Sequence, residues 1–132
     1  IKKIIKKKKD IGKYYYENLK NLPNIYIQKP YLSKNIENIY WVVGLLIKNK
    51  KISAEKFRRE LKKYGVETRA FFWPMHLQTA FKKIKIKFRG PYKNSEYLSK
   101  YGFYVPSGLE TTKKEVRFIA NSIKKIANKL GL

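Results

Sequence analysis

Twelve consecutive residues, Gly65-Val66-Glu67-Thr68-Arg69-Ala70-Phe71-Phe72-Trp73-Pro74-Met75-His76, hold the densest chemistry in the chain. They contain its only histidine, with an arginine, a tryptophan and two phenylalanines close by. Polar groups set among so much apolar surface are costly to desolvate without partners, so they mark a candidate binding site. Arg69 carries a planar fork suited to a carboxylate or phosphate, and a structural ion pair with Glu67 is the alternative. His76 follows a Trp-Pro turn where the chain leaves a strand, which suits a side chain aimed into a cleft; a satisfied, half-buried histidine is the other reading. Trp73 and Phe72 could stack on a planar ligand, with core packing favoured for Phe72, Trp41 and Tyr40.

Catalytic groups are not assembled by this chain. One histidine with no Ser or Cys partner makes no acyl-transfer triad. Ser107 sits in Pro-Ser-Gly, which lacks the glycines of a nucleophile elbow and reads as a turn. There is no Gly-rich phosphate loop, and no single lysine is marked as desolvated and activated. The absence of cysteine excludes disulfides and thiolate metal sites, and a lone histidine excludes multi-histidine ones. The reading is therefore a binding site with no metal.

The elements that position these residues follow from periodicity. Ile4, Ile11, Tyr15 and Leu22, flanked by Ile5 and Leu19, recur at helical spacing up to Pro23. Lys6 to Lys9 then reads as a solvated helix face. A turn-rich stretch from Pro23 to Asn38 leads to Ile39–Ile47, whose unbroken apolar character predicts a strand buried on both faces. Ser53 is an N-cap for a helix carrying Phe57, Leu61 and Tyr64, with Gly65 at its C′ position. Val66 to Phe72 reads as a second strand. Met75 to Pro91 reads as a basic loop with a short strand at Ile84–Phe88. Asn94 caps a short helix ending at Gly102, and Phe103–Val105 is a strand. Thr112 and Glu115 form a capping box for an amphipathic helix closed by Gly131. This order predicts one α+β domain, a small sheet covered by helices.

Charge and composition bound the partners. The 132 residues carry a net charge of +23, which would suit nucleic acid. Yet 27 of the 32 basic residues are lysine rather than the better bidentate reader arginine. Ile, Lys, Asn and Tyr together make up 62 residues, and all four have A+T-rich codons, so a biased genome accounts for the lysines. Nucleic acid is the less supported partner. No run approaches the roughly 20 apolar residues of a membrane span, and the first nine residues lack the apolar core and cleavage site of a signal peptide. A cytoplasmic protein is the simplest expectation.

The 65–76 segment resembles the G-I-E-T-R-P-F-F-x-P-x-H segment of the DegT/DnrJ/EryC1/StrS family of sugar aminotransferases. Ile39-Tyr40-Trp41-Val42-Val43-Gly44 is similar to the preceding strand of perosamine synthase-like members. Tyr101–Gly108 resembles the family's G-x-x-L-P-S-G segment, followed by its T-x-x-E helix at Thr112 and Glu115. The resemblance runs in order over residues 10 to 130; Ala70 stands where the family has proline.

It implies the C-terminal small domain of a fold type I pyridoxal-phosphate enzyme, with residues 1–22 the end of the helix linking large to small domain and 23–132 the small domain. The large domain, with the lysine that holds the cofactor, the acid at its pyridine nitrogen and its phosphate-binding residues, is not in this sequence. No catalytic or cofactor-binding residue is therefore expected here. The implied reaction moves an amino group from glutamate to a nucleotide-linked keto-sugar in a homodimer, with this part inactive alone. His76 would reach the sugar or its diphosphate, Trp73 would border the pocket, and Arg69 would grip an anionic group. The competing reading from another class is a freestanding basic module for nucleic acid or anionic surfaces.

Overall fold

The computed structural model describes the backbone of residues 1–132 and every side chain but that of Lys82. Apolar residues at helical spacing form α1 (Lys2–Leu19), which buries Ile11, Gly12, Tyr15 and Leu19. Its last turn closes at Lys20, ahead of Pro23. Ile4 stays exposed, so the predicted stripe is buried only in its second half.

The turn-rich stretch after α1 holds more structure than its composition predicts. Ile25–Ile27 is an edge strand, β1, with Ile25 and Ile27 buried. Tyr31–Ser33 (β2) and Ile36–Glu37 (β3) form a small antiparallel ribbon. Three-residue strands are too short for an alternation signal to stand out from turns.

The long predicted strand is shortened and half opened. Only Val43–Ile47 forms β4; Val43, Leu45 and Ile47 are buried, while Gly44 and Leu46 are half-buried. Tyr40 explains the late start. Its φ of +49° is left-handed, and Asn38 Oδ1 accepts its backbone N–H at 2.8 Å, so the chain turns there instead of extending. Tyr40 is buried as expected, whereas Trp41 is 69% exposed, contrary to the expected core role.

Two local signals are borne out at α2 (Ala54–Lys63). Ser53 accepts the Lys56 N–H, and Gly65 takes a φ of +74° just past the helix. The predicted strand from Val66 to Phe72 contracts to β5, Arg69–Ala70. A 3₁₀ turn at Met75–Leu77 and the short α3 (Thr79–Lys83) follow, and no strand forms at Ile84–Phe88. Helix α4 (Lys93–Tyr101) begins one residue before Asn94, without a side-chain cap. After β6 (Gly102–Val105) comes α5 (Lys113–Lys129), whose capping box is complete: Thr112 Oγ1 accepts from Glu115 N–H, and Glu115 Oε2 accepts from Thr112 N–H at 2.7 Å.

These strands make one antiparallel sheet in the order β1-β4-β6-β5. Register places Ile25 beside Ile47, Leu45 beside Phe103 and Val43 beside Val105, so one face is continuously apolar. Helices α1, α2 and α5 bury that face, with Tyr15, Leu19, Phe57, Leu61, Val116, Ile123 and Ile126 filling the core. Each such side chain contributes about 1.5–3 kcal/mol by leaving water. The α+β architecture of a small sheet covered by helices is as the sequence predicts.

Two contacts generate tests. A Cβ added at Gly12 would overlap the Tyr40 ring, which lies on the α1 backbone. Helix propensity alone predicts that Gly12→Ala stabilises by about 1 kcal/mol. Overlap with a buried ring reverses the sign, and urea unfolding should show a loss of about 1–3 kcal/mol.

Glu60 receives Lys63 Nζ at 2.6 Å and Lys129 Nζ at 2.9 Å, and these hydrogen bonds lower its pKa from 4.5 to about 2. A depressed carboxylate stabilises the fold above its unfolded pKa and loses that effect as pH falls. The melting-temperature gap between the parent and Glu60→Gln should thus be present at neutral pH, shrink below pH 4.5 and vanish near pH 2. High salt should also narrow it, because the pair is reached by solvent.

Candidate functional site

Of the singled-out site residues, Arg69 lies on the sheet face away from the core helices. Directly paired residues share a face, and Arg69 pairs with Tyr104, which in turn pairs with Gly44. Tyr26, Leu46 and Gly102 form the next row on the same face. Over it lies Phe71, stacked on Tyr104 at 4.8 Å and 3.5 Å from where a Gly44 Cβ would be. At Gly102 a Cβ would meet Phe71 Cδ2 at 2.9 Å and overlap the Leu98 carbonyl. Both glycines thus let an aromatic ring lie flat on the sheet. Trp41 and Phe72 stack beyond it, with centroids 6.3 Å apart, and together these rings wall an apolar groove of about 320 Å³.

Next to the groove, and sharing Trp41, Val42 and Tyr104 with it, is a polar cleft of about 620 Å³. Arg69 and Lys8 line it, with Ser107 at its floor. Lys8 was expected on a solvated face; it is instead half-buried, and its Nζ donates to the Ser107 carbonyl at 2.5 Å and lies 3.5 Å from Ser107 Oγ. Burial lowers the pKa of this amine, since desolvation disfavours the charged form. Lys9 pairs with Glu37, so only Lys6 and Lys7 keep the solvated role. Ser107 is a buried anchor rather than a plain surface turn. The loop that carries it is also held by Tyr15, whose hydroxyl donates to the Pro106 carbonyl at 2.7 Å. Burial raises the Tyr15 pKa, so the hydroxyl keeps the proton it donates.

The expected alternative for Arg69, an ion pair with Glu67, is not formed. Glu67 lies 3.3 Å from Lys62, and among the described residues no carboxylate comes within ion-pair distance of Arg69. Its guanidinium therefore stays available on the cleft wall.

Trp73 and His76 lie elsewhere. Trp73 is 60% exposed and borders a third cavity, of about 490 Å³, with Arg58, Phe71 and Glu96. His76, in the 3₁₀ turn, has only 13% of its side chain exposed. Its Nε2 is 2.9 Å from Glu96 Oε1, and its ring packs on Tyr92 at 4.6 Å. Glu96 thus links His76 to the Trp73 cavity, and Phe71 links that cavity to the apolar groove. Arg69 is not in the same cavity as either.

Lys8, Ser107, Trp41 and Tyr104 complete the cleft without having been singled out as site residues. One had a readable signal: Lys8 occupies the stripe of Ile4, Ile11 and Tyr15, where a charged residue interrupts an apolar series. Chemically the cleft offers an ammonium, a guanidinium and a hydroxyl beside aromatic faces, an arrangement for binding an anion joined to a planar group. Among the described residues no three His, Cys, Asp or Glu side chains are grouped to hold a metal ion, and no helix is long and apolar enough to cross a membrane.

Comparisons with known proteins bear on the family and the fold. The family model of the DegT/DnrJ/EryC1/StrS aminotransferases matches residues 1–124. GDP-perosamine synthase of Vibrio cholerae is 28% identical over 129 residues, covering 97% of this chain and 34% of that protein. The aminotransferase TlmJ of Streptoalloteichus hindustanus superimposes with a TM-score of 0.82 at 16% identity, over 97% of this chain and 33% of its own. The GDP-4-keto-6-deoxy-D-mannose-3-dehydratase of E coli, solved with bound hydrated PLP, gives a TM-score of 0.74 at 18% identity, over 91% of this chain and 31% of its own. The chain thus spans about a third of the length of the proteins it matches, and with the family model covering nearly all of it, the chain belongs to the DegT/DnrJ/EryC1/StrS aminotransferase family.

Proposed function

We propose that these residues form the C-terminal part of a pyridoxal-phosphate-dependent aminotransferase that converts a nucleotide-linked keto-sugar into an amino-sugar, with glutamate as the amino donor. The observation that carries this reading is the Lys8–Arg69 cleft opening beside the Trp41–Phe72 stack. A diphosphate bridging a base and a sugar has the charge and the flat appendage that such a pair of surfaces accepts. Arg69 would grip an anionic oxygen, Trp73 would border the sugar-binding space, and His76, oriented by Glu96, would reach the sugar or its diphosphate. The whole enzyme is a homodimer in this reading, and the cover provided by this part keeps water from the reacting groups.

Pyridoxal phosphate supplies the electron sink for such chemistry. The residues described here do not fit it. Lys8 is committed to the Ser107 carbonyl, and the one carboxylate lining its cleft, Glu67, faces Lys62. The cofactor's lysine, its acid partner and its phosphate donors are assigned to the remaining two thirds of the enzyme, which the length of the relatives supports. This chain binds and orients substrate; it does not transfer the amino group by itself.

Titration of the chain with a nucleotide-diphosphate sugar, followed by NMR chemical shifts, tests the cleft. Arg69→Ala should weaken binding about 10- to 100-fold, the range for losing a charge-assisted hydrogen bond. Unchanged affinity would remove Arg69 from the site. Mixed with pyridoxal phosphate, glutamate and the keto-sugar, the chain alone should give no amino transfer above the protein-free rate. Transfer above that rate would overturn the assignment of the cofactor site elsewhere.

A further inference from the structure

One segment is left without a role by the site above. From Thr68 to Ser95 the chain carries seven basic residues and no acidic one. The basic residues concentrate in Lys82-Lys83-Ile84-Lys85-Ile86-Lys87-Phe88-Arg89, where cations alternate with apolar residues. Every residue from Lys83 to Gly90 is exposed, Ile84 to 65% and Ile86 to 45%.

The exposure has a structural cause. Phe81 and Phe88 pack edge to face with centroids 5.8 Å apart, and Phe88 also lies against His76 and Tyr92. This aromatic base holds both ends of the segment, and Lys85, with a left-handed φ of 55°, turns the chain between them. Ile84 and Ile86 are consequently displayed on the turn, beside the flanking cations. Among the described residues, Lys83, Lys85, Lys87 and Arg89 form no salt bridge. The charge on this surface is thus not neutralised from within the molecule.

We propose that Lys83–Arg89 docks on an anionic lipid bilayer, its lysines and arginine meeting acidic headgroups while Ile84 and Ile86 enter the headgroup–acyl boundary. Both terms are needed for reversible surface binding: juxtamembrane cations are drawn to acidic lipids, and apolar side chains add buried area. The side-chain types select lipid over nucleic acid. Binding to single strands draws on aromatic faces for stacking and on arginine, whereas the most exposed apolar groups here, Ile84 and Ile86, are β-branched aliphatics, Phe88 is packed against Phe81, His76 and Tyr92, and the cations are mostly lysine. A turn tip can adsorb in this way without any membrane-spanning element. None of these residues lines the Lys8–Arg69 cleft, and the segment touches the proposed sugar site only where Phe88 lies against His76.

Co-sedimentation of the 132-residue chain with vesicles decides the matter. Phosphatidylcholine vesicles with about 30% phosphatidylserine should pull the protein down, and pure phosphatidylcholine should not. Ile84→Ser/Ile86→Ser, which keeps every charge, should weaken vesicle binding roughly tenfold or more. Lys85→Gln/Lys87→Gln should weaken it too and flatten its salt dependence. Both pairs change only exposed turn residues, and circular dichroism with an unfolding curve confirms that the fold is retained. Binding equally to neutral vesicles, binding to neither, or no loss in the isoleucine pair would overturn the proposal. Tighter binding to a single-stranded oligonucleotide than to anionic vesicles, indifferent to the isoleucine change, would overturn it in favour of nucleic acid.

Discussion

Two side chains on one stripe of α1 hold the arrangement together. Lys8 and Tyr15 are seven residues apart, two turns, and so project from the same side of the helix. One donates to the Ser107 carbonyl and the other to the Pro106 carbonyl. A buried loop carbonyl without a partner costs free energy, as does a desolvated amine, and these bonds satisfy both at once. They tie the chain after β6 to α1. Because Tyr104, two residues earlier, pairs with Arg69 on β5, the same tie brings Lys8 and Arg69 to one cleft. Loss of either bond would free the floor of the cleft as well as the end of the sheet.

Charge is distributed by the same economy. The chain has nine acidic residues, and most of those that pair tie or cap an element. Glu60 joins α2 to α5 through Lys63 and Lys129, Glu115 caps α5, and Glu37 pairs with Lys9. Glu96 orients His76. Most of the basic excess then has no internal partner and raises the positive potential of the surface. Arg69 and the Lys83–Arg89 turn both lie in the 28-residue stretch without acids.

Much of the fold was legible because its signals are local. The capping box at Thr112 and Glu115, the Ser53 cap and the left-handed Gly65 each depend on residues within one turn of each other. The apolar stripe of α5 is similarly self-contained. What failed depended on contacts far along the chain. The Ile39–Ile47 run is apolar throughout, but Tyr40 is drawn to Gly12 of α1, and the turn this requires throws Trp41 outward. Strand β1 is three residues long and exists because β4 pairs with it. Asn94 was a reasonable cap by type, yet α4 starts at Lys93 without using it.

The candidate site divides along the same line. From the sequence alone came the singling out of the 65–76 segment and the family likeness, since each is a matter of residue type and order. Tertiary structure alone decided that Arg69 would join Lys8, Ser107 and Trp41 from three other parts of the chain, and that His76 would be claimed by Glu96 and Tyr92. It also decided that Trp73 would border a separate cavity. Residue types state which interactions are possible within a segment, but which surfaces meet is settled only when sheet register and helix packing bring distant segments together.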